Sequence, residues 1–334
     1  MREPSIGARA ARAGSPDLFP ESNLLMNRRP DLFIIGAPKT GTTSLYEYLK
    51  GHPDVFMCPV KEPRYFAPDL AVEWAGHDLR YGPDLDRYLA LFDDATTEKR
   101  LGEASVRYIY SDQAPRLIKD FQPDAFVVVG LRDPVELVYA LHNQSVSEGI
   151  EPFTHFEDAL AAEPDRLAGR EAPAGLHPMH TVYVERGKLA PRLRAWRDVF
   201  GAARVHVFVF EDLVRDPETV FRALLEFLEV DPTYRPPAFE AFNASHQPRS
   251  RMLRRLSDTR VAQFMAWKIL PRFIGDAGAH KMARAITRAN RRPSPRPSMS
   301  PQLRDRLRGV FAADVAELSE MVGRDLAAQW WHAT

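Results

Sequence analysis

Three near-continuous apolar runs stand out along the chain: DLFIIGA at 31–37, AFVVVGL at 125–131 and VHVFVF at 205–210. Each has the length of a strand, and continuous apolar character is what a strand covered on both faces requires. A shorter and weaker run at 100–105 is taken as a fourth strand. Between the runs the pattern changes to helical spacing. Residues 42–50 place Leu45, Tyr48 and Leu49 on one face, and Gly51 with His52-Pro53 ends the stretch. Residues 134–148 open with proline in the first turn, where its missing N–H costs nothing. The stretch 181–200 carries Val182, Leu189, Leu193 and Trp196, and reads as one helix. Residues 216–229 open with DPET, a cap followed by proline and an acidic first turn. A last amphipathic helix spans 301–322, with Trp330-Trp331 packing it down. Strand and helix alternate, which predicts an α/β protein of three layers: a central, mainly parallel sheet flanked by helices. Right-handed crossovers then collect the C-terminal ends of the strands on one edge, where ligands bind.

Composition narrows the picture. Of 334 residues, 45% are hydrophobic, enough for one large α/β domain or two small ones. Residues 1–27 read as a disordered leader and 28–334 as a single domain, with 291–301 (RRPSPRPSMSP) a Pro/Ser/Arg-rich linker before the last helix. Lys+Arg and Asp+Glu are equal at 45 each, so no global electrostatic grip on nucleic acid is expected. The one cysteine, Cys58, has no partner for an internal disulfide, and no metal-type Cys/His spacing occurs. No apolar run approaches the roughly 20 residues that span a bilayer. The first residues lack the apolar segment of a secretory signal. A cytoplasmic location is therefore expected, with peripheral contact to a membrane left open and the oligomeric state unread.

The sharpest chemical signal is GAPKTGTTS at 36–44, between the first strand and the first helix. At such a junction, backbone N–H groups and the helix dipole make an anion site, so the expected fold is of P-loop type. Gly36 and Gly41 have the separation of a G-x-x-x-x-G-K-[ST] loop, but Thr42 stands where the lysine belongs and Lys39 lies two residues before the second glycine. The loop can hold a 5′-phosphate. It lacks the parts that γ-phosphoryl transfer needs. A kinase or other NTP-dependent phosphotransferase is thus the disfavoured alternative, and a catalytically weak nucleotide-binding protein is another.

The segment GAPKTGTTSLYEYLKGHPDVFMCPVKEPRYF resembles the sulfotransferases that use 3′-phosphoadenylyl sulfate (PAPS), above all the bacterial and heparan-sulfate-type branch. The resemblance continues through GEASVRY (102–108), LRDPVELVYALHNQ (131–144), WRDVFG (196–201) and VHVFVFEDL (205–213). It implies that Lys39, Thr40, Gly41, Thr42, Thr43 and Ser44 hold the 5′-phosphosulfate of PAPS. It implies Glu62, in VKEPRYF, as the base that deprotonates the acceptor, and Arg132 as the arginine on the 3′-phosphate. A plain Arg132–Asp133 pair at the helix start is the bland alternative. Sulfuryl transfer needs one base and one placed cation, and Lys39 is the natural cation, so no metal is called for. The chain departs from the pattern at Ala140, where the family usually carries a serine on the 3′-phosphate. Asn143, Lys188 and the basic segment with Arg249, Arg251, Arg254 and Arg255 are candidates to replace it. Glu103, Ser105, Arg107 and Tyr108 either line the acceptor cleft or form an ordinary strand end. Tyr65 and Phe66 are expected to pack the core and His206 to be structural. The acceptor is a hydroxyl or amine on a glycan, lipid or small molecule that the residues do not name.

Overall fold

The computed structural model describes residues 29–70, 84–170, 178–240, 246–248, 291–293 and 299–332. Five strands form one sheet: β1 (Leu32–Gly36), β2 (Val55–Met57), β3 (Arg100–Ala104), β4 (Phe126–Leu131) and β5 (Val205–Val209). Their order is β2-β3-β1-β4-β5 and every pairing is parallel. The helices are α1 (Thr42–Lys50), α2 (Leu85–Leu89), α3 (Ala114–Phe121), α4 (Pro134–Glu148), α5 (Phe156–Ala161), α6 (Glu163–Leu167), α7 (Val184–Gly187), α8 (Ala190–Phe200), α9 (Phe210–Arg215), α10 (Pro217–Phe227), α11 (Pro301–Val322) and α12 (Leu326–Trp331). A separate antiparallel ribbon pairs β6 (His246–Pro248) with β7 (Arg291–Pro293).

The two-residue period of a strand divides the core in two. Leu32 and Ile34 of β1 and Val128 of β4 face the layer built by α1 and α10, through Leu45, Leu49, Phe221 and Leu224. Phe33, Ile35, Val127 and Val129 face the opposite layer of α3, α4, α8 and α11, through Ile118, Val138, Leu193 and Phe311. Both faces of the central strands are therefore dry, which is why they read as unbroken apolar runs. The fold is the three-layer α/β arrangement expected, with β1 at its centre.

The helix expected over 181–200 is two. Pro191 stands in the first turn of α8; having no N–H and a ring that crowds the preceding turn, it cannot continue a helix that includes Gly187. Gly187 itself is pressed against α11: a Cβ there would stand 2.6 Å from the Phe311 ring. At the end of β5 the strand stops one residue sooner than its apolar run, because Phe210 already starts α9. The edge strand β2, only three residues long, went unread in the sequence. The tryptophan pair does more than cover α11. Trp330 Nε1 donates to Glu211 at 2.9 Å and Trp331 Nε1 to Asp133 at 3.4 Å, which docks α12 where β4 and β5 end.

Gly130, in β4, marks the closest approach of the sheet to the loop after β1. A Cβ on it would lie 2.3 Å from Thr40 Oγ1 and 2.5 Å from Phe208 Cζ. Gly130→Ala is expected to cost about 1–3 kcal/mol, the range for overpacking a filled interior. A lower urea midpoint checks this; an unmoved midpoint would show that Thr40 is not packed there.

Candidate active site

The loop after β1 is shaped by three bonds. Ala37 N donates to Gly130 O at 3.1 Å, Thr40 Oγ1 donates to Ala37 O at 2.6 Å, and Arg132 Nη1 donates to Lys39 O at 2.9 Å. Lys39 lies at φ 68° and Gly41 at φ 84°. A left-handed backbone is strained for any residue with a Cβ, and at Gly41 a Cβ would also stand 2.6 Å from Leu213 Cδ2. α1 begins directly after this turn. It has no side-chain cap and no acidic residue in its first turn, so no built-in anion competes at its positive end. Arg132 is buried at the end of β4 with its guanidinium 4.4 Å over the Phe210 ring. The next residue, Asp133, caps α4 by accepting from Val135 N at 2.9 Å.

Glu62 is placed by β3. Its N–H donates to Ala104 O at 2.9 Å, and its Oε1 accepts from Val106 N at 3.3 Å. Arg64 Nε lies 3.4 Å from Oε2 and Lys61 Nζ 3.8 Å from Oε1. The side chain is 20% exposed, open enough for a substrate to reach. Because β3 pairs with β1, with Ser105 N donating to Ile34 O, the loops after these strands are neighbours. The carbonyl oxygen of Val106, whose N–H holds Glu62, lies 3.0 Å from where a Cβ on Gly36 would stand. The fold thus gathers the Lys39 loop, Glu62 and Arg132 at the C-terminal edge of three adjacent strands.

Under this edge sits a carboxylate whose partners were not read from the sequence. Glu103 is fully buried and accepts from Ser105 Oγ at 2.6 Å, Tyr88 Oη at 2.9 Å and Tyr108 Oη at 2.9 Å. Ser105 Oγ in turn accepts from Arg64 N at 3.0 Å, and Tyr108 Oη from Phe66 N at 3.2 Å. This network ties the 62–66 loop to the sheet. Phe66 is buried and Tyr65 stacks on Tyr88, so both rings pack inward as expected. Burial pushes the Glu103 carboxyl up to about 7, although three hydroxyls oppose the rise. With the folded value above the unfolded one of 4.5, the native state binds this proton more tightly. The linked stability is complete below the unfolded value and is lost as pH climbs through the folded value. Glu103→Gln is expected to remove that slope, on the order of 3 kcal/mol across the interval. Urea titrations over this pH range read it, and an unchanged slope would mean that Glu103 titrates as if exposed.

The other sequence candidates fall differently. Asn143 Nδ2 donates to Tyr139 O within its own helix at 2.8 Å, and Lys188 pairs with Glu185. Ala140 is buried in α4. His206 tilts against Phe227, and burial lowers its imidazole to about 4, consistent with a neutral structural ring. Arg249, Arg251, Arg254 and Arg255 lie outside the described residues. Among the described residues no cluster of His, Cys, Asp or Glu could hold a metal, and no helix is long and apolar enough to cross a membrane.

The sulfotransferase domain family matches residues 29–243, a span that holds β1 to β5 and the gathered loops. The chain belongs to the sulfotransferase domain family. Within that family it is 27% identical over 213 residues to bifunctional heparan sulfate N-deacetylase/N-sulfotransferase 3 of Homo sapiens, covering 62% of this chain and 23% of that protein. It is 27% identical over 249 residues to carbohydrate sulfotransferase 15 of Homo sapiens, covering 61% of this chain and 44% of that protein. The chain therefore spans less than half the length of these curated relatives. The crystal structure of a sulfotransferase from Alicyclobacillus acidocaldarius superposes with a TM-score of 0.64 at 28% identity, covering 90% of this chain and 98% of that one. The sulfotransferase match ends before Arg249 and Arg251, so it says nothing of that basic segment.

Proposed function

We propose that this chain transfers a sulfuryl group from PAPS to a hydroxyl or amine of an acceptor and releases adenosine 3′,5′-bisphosphate. The observation that carries this reading is the meeting of the Lys39 loop, Glu62 and Arg132 on one sheet edge. Glu62 takes the acceptor proton as the new O–S or N–S bond forms. The bond from sulfur to the bridging oxygen breaks, and its electron pair stays on the departing 5′-phosphate, where the Lys39 ammonium offsets the developing charge. The α1 N-terminus with Thr40, Gly41, Thr42, Thr43 and Ser44 holds the 5′-phosphosulfate, and the Arg132 guanidinium takes the 3′-phosphate. The reading calls on no metal. The names of the relatives, a heparan sulfate N-sulfotransferase and a carbohydrate sulfotransferase, favour a glycan acceptor over a lipid or other small molecule.

Residues 28–334 are read as one domain, since Phe311 and Val315 of α11 share a core with Val127 and Val138. A cytoplasmic site of action is our reading of the lone cysteine, Cys58, which has no partner for an internal disulfide. The test of the donor is thermal. Adenosine 3′,5′-bisphosphate at about 100 times its Kd is expected to add about 2.7 kcal/mol, a rise of a few degrees in Tm, without magnesium. Arg132→Met is expected to reduce that rise. Equal stabilisation by Mg-ATP, or none by the bisphosphate, would sink the PAPS assignment in favour of a phosphotransferase.

A further inference from the structure

The C-terminal helix α12 reaches Arg132 through one carboxylate. Glu211, the second residue of α9, is engaged at both oxygens: Oε2 accepts from Trp330 Nε1 at 2.9 Å and Oε1 from Asp133 N at 3.4 Å. Its sequence neighbours are tied as well. Phe210, before it, carries the ring that lies 4.4 Å beneath the Arg132 guanidinium. Asp212, after it, accepts from Arg324 Nη1 at 2.5 Å and from Gln329 Nε2 at 3.0 Å. Trp331 Nε1 adds a bond to Asp133, the residue that follows Arg132. α12 is itself fixed: Leu326 is fully buried, and its N–H donates to Ser319 Oγ of α11 at 3.1 Å. Residues 324–331 thus hold Arg132 from two sides, through the Phe210 ring and through the backbone of Asp133. The sulfotransferase match ends at residue 243, so these C-terminal donors all lie beyond it.

Packing alone would need only the tryptophan rings. Both indole N–H groups are instead directed at carboxylates next to Arg132 in the fold, and a single fixed donor on a carboxylate sets its orientation. An arginine side chain has many rotamers, and one that is already held loses less freedom when a phosphate arrives. Resting on the reading of Arg132 as the arginine of the 3′-phosphate, we propose that Trp330 is a positioning residue for the donor site. Through Glu211 it sets Phe210 and Asp133 in place and so pre-orders the Arg132 guanidinium, with Trp331 in support. The last helix is then part of the donor site without touching the nucleotide.

Calorimetric titration of adenosine 3′,5′-bisphosphate into the full chain tests this by comparing the unaltered chain, Trp330→Phe, Arg132→Met and the double variant. Phenylalanine keeps an aromatic ring and removes the donor. Trp330→Phe is expected to weaken binding about three- to tenfold, the scale of ordering one long side chain. In the Arg132→Met background the same change is expected to have no effect, since no guanidinium is left to place. With labelled PAPS and an acceptor from a glycan screen, the KM for PAPS should rise in Trp330→Phe while kcat holds. Unchanged affinity in Trp330→Phe, an equal loss in both backgrounds, or a fall in kcat with KM unmoved would reduce the tryptophan to packing and overturn the inference. If Trp330→Phe does not fold, Trp331→Phe, at a half-buried ring, carries the same comparison. Weaker binding by Arg132→Met alone leaves the donor reading standing while the inference falls; Arg132→Met binding as tightly as the unaltered chain, or no binding by either, overturns both.

Discussion

Glu62→Gln is expected to lower sulfuryl transfer from labelled PAPS at least about a hundredfold, the lower end of the loss for removing a general base. The substitution keeps the size of the side chain and an oxygen to accept from Val106 N, so the 62–66 loop has the same anchor at Ala104 O. It removes the only thing the proposed step needs from this residue, a basic carboxylate. The ion contacts with Lys61 and Arg64 are lost as well, but both partners are partly exposed and such pairs contribute about 0–1 kcal/mol. Folding and stabilisation by adenosine 3′,5′-bisphosphate should therefore be nearly unchanged. Transfer at close to the normal rate by this variant, to the best acceptor of a glycan screen, would take the base role away from Glu62.

Lys39→Ala is the second large effect, a fall in kcat of about a hundredfold to a thousandfold, as for other groups that stabilise charge only in the transition state. The backbone argument isolates the ammonium. Lys39 contributes its carbonyl to Arg132 and adopts φ 68°, and alanine supplies the same carbonyl at a similar conformational cost. The loop should persist while the charge that offsets the leaving phosphate is gone. Single-turnover kinetics with saturating donor separate the two possibilities: a slow chemical step supports the role, whereas a normal chemical step with weakened donor binding would reduce Lys39 to a binding contact.

Much of the frame was legible in the residues because β1 and β4 are buried on both faces. Such strands need continuous apolar runs, and no other local pattern of that length fits the glycine that closes the first of them. β2 was not legible: three residues at the sheet edge carry no periodicity. The break between α7 and α8 had a local cue in Pro191, but the apolar spacing of Val182, Leu189, Leu193 and Trp196 outweighed it; the packing of Gly187 on Phe311, residues far apart in sequence, shows why the chain bends there. The same holds for the site. Lys39, Glu62 and Arg132 were singled out by motif, yet the Glu103 network beneath them joins residues 88, 103, 105 and 108, and its logic is visible only as hydroxyls converging on one buried carboxylate.

Local sequence by itself determined the strand–loop–helix that presents Lys39, since glycines, hydroxyls and an apolar run act within a dozen residues of one another. It also determined the family to which the chain belongs. Only the tertiary structure decided that Glu62 hangs from Ala104 and Val106 one strand away and that Arg132 braces the Lys39 carbonyl. The physical reason is that backbone preferences and periodicity are local, whereas charge balance and hydrogen-bond satisfaction belong to the volume in which distant segments meet.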